Sequence, residues 1–245
     1  MRIRRPPLEQ ERQVNLRELG KAAFSEGRNV TQALREHLGI DHNTAEIIEI
    51  AYDLQAGTYV DFARENADFV LAYSGQLARH LDPHLEEGDV ILDAGAGELT
   101  NLCGMIAQLQ TWPAKVIATD ISERRLEIGK QYASIHMPSV PLEVIRAELS
   151  SIPLPSRSVD VVTTNHALEP NGGRESEILK ELKRIARRKL VLFEPCFEIA
   201  SPEAQERMRR LGYIRGLSEI AESFTPLEIV DNPLNPTACF VFRPD

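Results

Sequence analysis

The sequence predicts an α/β protein, a doubly wound and mostly parallel sheet with a helical segment in front of it. Two observations carry this. From Asp89 onwards short apolar runs alternate with helical stretches, the pattern of repeated strand–helix–strand units. Those runs are almost continuously apolar, as strands are when helices cover both faces of a sheet. A third observation sets the end of the chain apart. Leu227–Val230 and Ala238–Phe242 read as strands joined by a turn too short for a helical crossover, so they pair antiparallel.

The elements follow in order. Up to about Leu85 apolar residues recur at helical spacing with few β-branched runs. Asn29 or Thr31 can cap a short helix ending at Gly39. Asp41 can cap the next, with Ile47, Ile48 and Ala51 on one side. Phe62, Phe69, Val70 and Leu77 suggest one helix over Phe62–Leu81. Val90–Leu92 then leads through a Gly-rich turn into a helix through Met105 and Leu109. Lys115–Asp120 precedes Ser122 and a helix through Leu126 and Ile128. Leu142–Ile145 is the third strand, and Val159–Thr164 precedes a helix from about Glu175 to Ala186. Leu190–Phe193 precedes a helix near Ser201, where Pro202 suits the first helical position. The division expected is a helical lid over residues 1–85 and a ligand-binding domain over residues 86–245, with Met1–Pro7 as a frayed tail.

Composition narrows the function classes. The chain has 245 residues and a formal net charge of -9, which opposes a polyphosphate backbone, so no general nucleic-acid partner is expected. No apolar run reaches the roughly 20 residues that cross a bilayer, and no signal peptide is legible. Cys103, Cys196 and Cys239 are far apart and sit in apolar surroundings. They read as buried free thiols in a cytoplasmic protein, neither a disulfide framework nor a zinc site. His37 and His42 are close in sequence but lack companions at ligand spacing, so no metal is expected.

The residues that could carry chemistry cluster after the strands. In Asp93-Ala-Gly95-Ala-Gly97, the two glycines leave the turn bare, so a ligand can lie against the backbone. Asp93 ends the strand on the ligand side of an open sheet and can hold an ammonium group. Leu99 stands where a dinucleotide-binding turn has its third glycine, which weighs against NAD or FAD. Asp120 ends the next strand and can either accept both hydroxyls of a ribose or cap the helix before Ser122. Glu148 can accept an adenine amino group while Leu149 and Ile121 flank its ring; otherwise it is a surface carboxylate. Asn165 and His166 follow the fourth strand at the mouth of the site. A neutral imidazole there can take a proton from an attacking nucleophile, or merely pack and hydrogen-bond. Glu194, after the fifth apolar run, either binds an acceptor or caps a turn. Tyr52 and Tyr59, two helical turns apart, would share one helix face and shape a substrate pocket.

Together these segments resemble the class I S-adenosylmethionine-dependent methyltransferases of the small-molecule branch (methyltransferase type 11/25-like), over about Tyr52 to Phe242. Asp93, Gly95 and Gly97 match that family's first motif, and Asp120 its ribose-binding acid. Ala147–Pro155 is similar to its adenine loop, and Asn165–Glu169 to its motif after the fourth strand. The segment from Tyr52 to Tyr59 looks like the one that closes over cofactor and substrate. The resemblance implies a Rossmann-like doubly wound seven-stranded sheet with an antiparallel last strand and the N-terminal helical lid. It implies S-adenosyl-L-methionine as cofactor, held by Tyr59, Asp93, Gly95, Gly97, Asp120, Ile121, Glu148, Leu149 and Asn165. The acidic charge and the modest aromatic content of 6% favour a small polar acceptor, methylated on oxygen or nitrogen near Tyr52, His166, Glu169 and Glu194, with His166 as base. A sugar derivative or secondary metabolite would suit. Two departures stand out: the turn before the fifth strand reads Ala186–Leu190 in place of Pro-Gly-Gly, and Pro170 replaces a frequent second histidine. An NAD(P)-dependent oxidoreductase, or a cofactor-binding module without methyl transfer, remains the alternative. A homodimer stays open.

Overall fold

Five helices lead the chain in the computed structural model, which describes residues 7–230 and 232–244. They are α1 (Pro7–Ser25), α2 (Val30–Leu38), α3 (Ala45–Leu54), α4 (Thr58–Glu65) and α5 (Ala67–Leu81). The expected tail falls on residues 1–6, outside that range, except for Pro7, which opens α1.

Local chemistry sets their ends. Asn29 caps α2 by accepting from the Gln32 N–H at 2.8 Å, and Gly39 closes it in the left-handed conformation. Thr31 instead donates to the Asn29 side chain. The expected cap of α3 moves from Asp41 to Thr44, whose hydroxyl accepts from the Ile47 N–H. Asp41 lies too early and pairs with His42 at 3.0 Å. The single helix expected over Phe62–Leu81 is two. Asn66 leaves helical geometry at φ −125° and turns its amide to the Phe62 carbonyl, a local competition that breaks helices. Leu16, Val30, Leu34, Ile47, Ile50 and Ala51 form a small core within α1–α3.

Behind them stands a seven-stranded sheet: β1 (Val90–Ala94), β2 (Lys115–Asp120), β3 (Leu142–Arg146), β4 (Val159–Asn165), β5 (Ala186–Pro195), β6 (Ser223–Pro226) and β7 (Thr237–Phe242). Their order is β3-β2-β1-β4-β5-β7-β6. Strands β1 to β5 are parallel, and β7 runs antiparallel to both β5 and β6. Helices α6 (Thr100–Ile106), α7 (Glu123–His136), α8 (Glu175–Ile185), α9 (Pro202–Leu211) and α10 (Leu217–Ile220) complete the chain. One apolar layer joins α5–α7 to the sheet through Leu77, Leu81, Ile106 and Phe193. The other joins α8 through Ile178, Leu182, Leu190 and Phe240. The central strands β1, β2, β4, β5 and β7 are therefore covered on both faces, whereas β3 and β6 at the two edges contain no buried residue.

Two strand assignments change. The strand expected at Leu227–Val230 lies earlier, at Ser223–Pro226. The amides of Glu228 and Ile229 donate instead to Gln76 Oε1 on α5, and Gln76 Nε2 returns a bond to the Ile229 carbonyl. A buried glutamine thus takes the hydrogen bonds a ladder would have used. The turn expected at Ala186–Leu190 is absent, for β5 begins at Ala186 directly from α8. Arg188 there pairs with Asp89 and Glu86. The three cysteines are buried and free. Among the described residues no helix is long and apolar enough to cross a membrane, and no cluster of ligating side chains suits a metal.

Candidate functional site

The carboxyl ends of β1, β2 and β4 open into a cavity of about 640 Å³, roofed by α3, α4 and α5. This is where an open parallel sheet presents its loops to a ligand, on either side of the point at which strand order reverses.

The turn after β1 is pinned to β2, because the N–H groups of Gly95 and Ala96 both donate to the Thr119 carbonyl at 2.7 and 2.8 Å. Gly95 has φ +81°, and a Cβ there would stand 2.3 Å from the Ala167 Cβ, so the turn and the loop after β4 approach through a missing side chain. Gly97, at φ +56°, donates its N–H to Asp120 Oδ2 at 2.9 Å. Asp120 Oδ1 accepts from the Ser122 N–H at 2.8 Å. Each Asp120 oxygen therefore spends one lone pair on the backbone and keeps another. Leu99 is buried at φ +59° and opens α6.

Asp93 lines the cavity at 5% exposure, and no donor among the described residues reaches its carboxylate. Burial, with Asp120 and Glu194 nearby, raises its pKa to about 7. A buried acid without a donor is unusual and fits a cationic ligand group. Ile121 and Leu149 line the cavity as well. Glu148 lines it too, but its carboxylate already takes Arg174 at 2.8 Å and the Ser150 hydroxyl.

Asn165, at the end of β4, donates to the Tyr73 hydroxyl at 2.9 Å and accepts from Asn101 at 2.7 Å. His166 sits at φ +54°, a conformation uncommon outside glycine. Its Nδ1 meets Glu169 Oε2 at 2.6 Å and its Nε2 meets the Thr237 hydroxyl at 3.0 Å. Burial works to raise the pKa of Glu169, but hydrogen bonds from His166, Tyr213 and Asn235 hold it below the usual range.

Two sequence expectations are corrected. Glu194 is fully buried and does not line the cavity. Its carboxylate turns under the 167–169 loop, accepting from the N–H groups of Ala167, Leu168 and Glu169 at 3.0 to 3.1 Å and from the Thr164 hydroxyl at 2.6 Å. It holds up the loop that carries His166 and Glu169. Tyr52 and Tyr59 are not on one helix face, since Gly57 at φ +104° separates α3 from α4. Both nevertheless line the cavity, because Arg125 lies between their rings, 4.9 and 4.6 Å from the two centroids.

Arg125 was not legible as a site residue. It is buried on α7, faces Glu98 at 3.6 Å and also lines the cavity. Glu98 accepts from the N–H groups of Gly57 and Val60 at 2.9 Å each, tying α4 to the turn after β1. Ser122 and the helical step to Arg125 could have signalled the cation's inward face. Nothing local in sequence marks Tyr73, Arg207, Tyr213 and Asn235, which reach the cavity from α5, α9 and the segments beyond.

A family model described as "Methyltransferase domain" matches residues 91–189, from β1 into β5. No curated protein matches the chain. Solved structures share the fold. A chain from the Haloferax volcanii complex between the Trm112 methyltransferase activator and a methyltransferase aligns with a TM-score of 0.60 and 16% identity, over 79% of this chain and 97% of that one. Magnesium protoporphyrin IX methyltransferase (ChlM) from Synechocystis PCC 6803, with bound SAH, gives 0.55 at 16% identity over 78% and 97%. A geranyl diphosphate methyltransferase in complex with SAM gives 0.53 at 15% over 71% and 85%.

Proposed function

We propose that the cavity binds S-adenosyl-L-methionine as methyl donor and transfers its methyl group to an oxygen or nitrogen of a small polar molecule, a reading supported by the match of a methyltransferase-domain model to residues 91–189. The observation that supports the reading most is the pair of buried acids on neighbouring strand ends, Asp93 without a donor among the described residues and Asp120 with spare lone pairs.

In this reading Asp93 takes the ammonium of the donor's amino-acid end and Asp120 its ribose hydroxyls. The turn at Gly95 and Ala96 lines the space between them, and Gly97, which does not line the cavity, serves by holding Asp120. Ile121 and Leu149 flank the adenine, and Glu148, held by Arg174, presents its remaining lone pairs to the ring edge. Tyr59 closes this end from α4, and Asn165 borders the transfer point. When bound, the donor supplies a methyl group already activated on a sulfonium, so the protein's share is positioning and exclusion of water. The helices of residues 1–85 serve as the lid, with Tyr52, Tyr59 and Phe62 on its inner side. Buried free thiols suit a reducing cytoplasm.

His166 receives the proton that an O–H or N–H acceptor loses. Glu169, ionised and 2.6 Å from Nδ1, stabilises the imidazolium that results, and Nε2 exchanges Thr237 for the acceptor. Transfer of labelled methyl from S-adenosylmethionine across hydroxyl and amine acceptors tests this. His166→Ala should lower turnover by roughly 10² to 10⁴ with S-adenosylhomocysteine affinity unchanged. Equal turnover in the variant removes His166 from the chemistry.

A further inference from the structure

Resting on the methyl-transfer reading, we propose that the acceptor carries an anionic oxygen group, a carboxylate or a phosphate monoester, which Arg207 binds at the end of the cavity away from Asp93. The cavity's two arginines are held differently. Arg125 faces the buried carboxylate of Glu98, with Asp120 nearby. Arg207 has no carboxylate partner among the described residues: it hydrogen-bonds with the Tyr213 side chain, its Nη1 is buried without a hydrogen bond, and its guanidinium lies 5.6 Å over the Tyr213 ring. A guanidinium that lines the cavity with no carboxylate opposite it among the described residues leaves a positive charge facing the ligand space, and the planar fork of arginine suits an oxyanion there.

Topology places this group at the acceptor end. Asp93 and Asp120 end β1 and β2, while Arg207 and Tyr213 follow β5 on and after α9, and Asn235 precedes β7. Asn235 lies on this side too: it gives its Nδ2 to Glu169 at 3.1 Å and stands 3.3 Å from His166 Nδ1. One small molecule bearing an acid for Arg207 and a hydroxyl or amine for the proposed base spans the two. The negative charge of Glu169 is already engaged by His166 and Tyr213, which leaves Arg207 to attract the acid.

The test uses matched sets of small hydroxy and amino compounds, aromatic and aliphatic, each present as carboxylate, phosphate monoester and neutral carboxamide. Thermal protection is read in saturating S-adenosylhomocysteine, and labelled methyl transfer is read from S-adenosylmethionine. Expected is a preference of about tenfold or more for one anionic series over the amides, worth about 1.4 kcal/mol. The preference should vanish in Arg207→Gln and return in part in Arg207→Lys, with S-adenosylhomocysteine affinity the same in all three proteins. The favoured series tells carboxylate from phosphate. Amides equal to both anions, no protection by any anion, or a preference that survives Arg207→Gln overturns the proposal and leaves methyl transfer standing. Failure of the unaltered protein to bind S-adenosylhomocysteine overturns the underlying reading as well.

Discussion

Replacing Asp93 with asparagine should make the ligand-free protein more stable at pH 8 and hardly change it at pH 4. The carboxylate is 5% exposed, has no donor among the described residues, and its pKa rises from 3.8 to about 7 through burial first and then Asp120 and Glu194. A raised carboxylate pKa means that the folded state favours the protonated form. The native protein therefore binds more protons than the unfolded chain between about pH 4 and 7, and stability falls as pH rises through that window. Roughly three pKa units at 1.36 kcal/mol each amount to about 4 kcal/mol by pH 8. For a chain of this size that is about 10 °C in Tm. Asparagine keeps the shape and cannot ionise. Thermal denaturation of both proteins at pH 4 to 8, without cofactor, should give curves that diverge in favour of Asp93→Asn as pH rises. A difference independent of pH would refute the reasoning, because Asp93 would then pay no ionisation penalty. The same variant should bind S-adenosylhomocysteine more weakly, since the ammonium loses its counter-charge.

Gly95→Ala places a Cβ 2.3 Å from Ala167 at a φ of +81°. It should cost at least about 1 kcal/mol and weaken S-adenosylhomocysteine binding, read by chemical denaturation and calorimetry. Glu98→Ala removes the acceptor of the Gly57 and Val60 amides and one of two carboxylates beside the buried Arg125. A loss of about 3 kcal/mol follows, with the fastest gain in hydrogen exchange at those two amides. Glu194→Ala removes the acceptor of three loop amides and the Thr164 hydroxyl. At pH 6 it should cost about 3 kcal/mol, while a cofactor affinity changed more than a few-fold would contradict its role as loop support.

What could be read in the sequence was what depends on neighbours in sequence. The strand ends at Asp93 and Asp120, the Ser122 and Ser201 caps and the apolar strands all follow from local pattern. The misreadings came from partners far along the chain. Gln76 takes the amides of Glu228 and Ile229 across some 150 residues, so a β-like run became a loop. Glu194 was expected to face the cavity because it follows a strand, yet three amides of a loop nearly 30 residues earlier turn it inward. Asn66 broke a helix whose apolar stripe continued across it, because its side chain competes for the Phe62 carbonyl. Arg125 and Arg207 carried no motif, and only the fold brings them to one cavity.

Calorimetric titration of ligand-stripped protein with S-adenosyl-L-homocysteine, the unaltered chain beside Asp120→Ala, bears most directly on how the cavity is used. Saturable one-site binding, weakened roughly tenfold or more in the variant (about 1.4 kcal/mol), is the result expected if the acid after β2 holds the ribose. No heat from the unaltered protein, or equal affinity in both, would contradict the account.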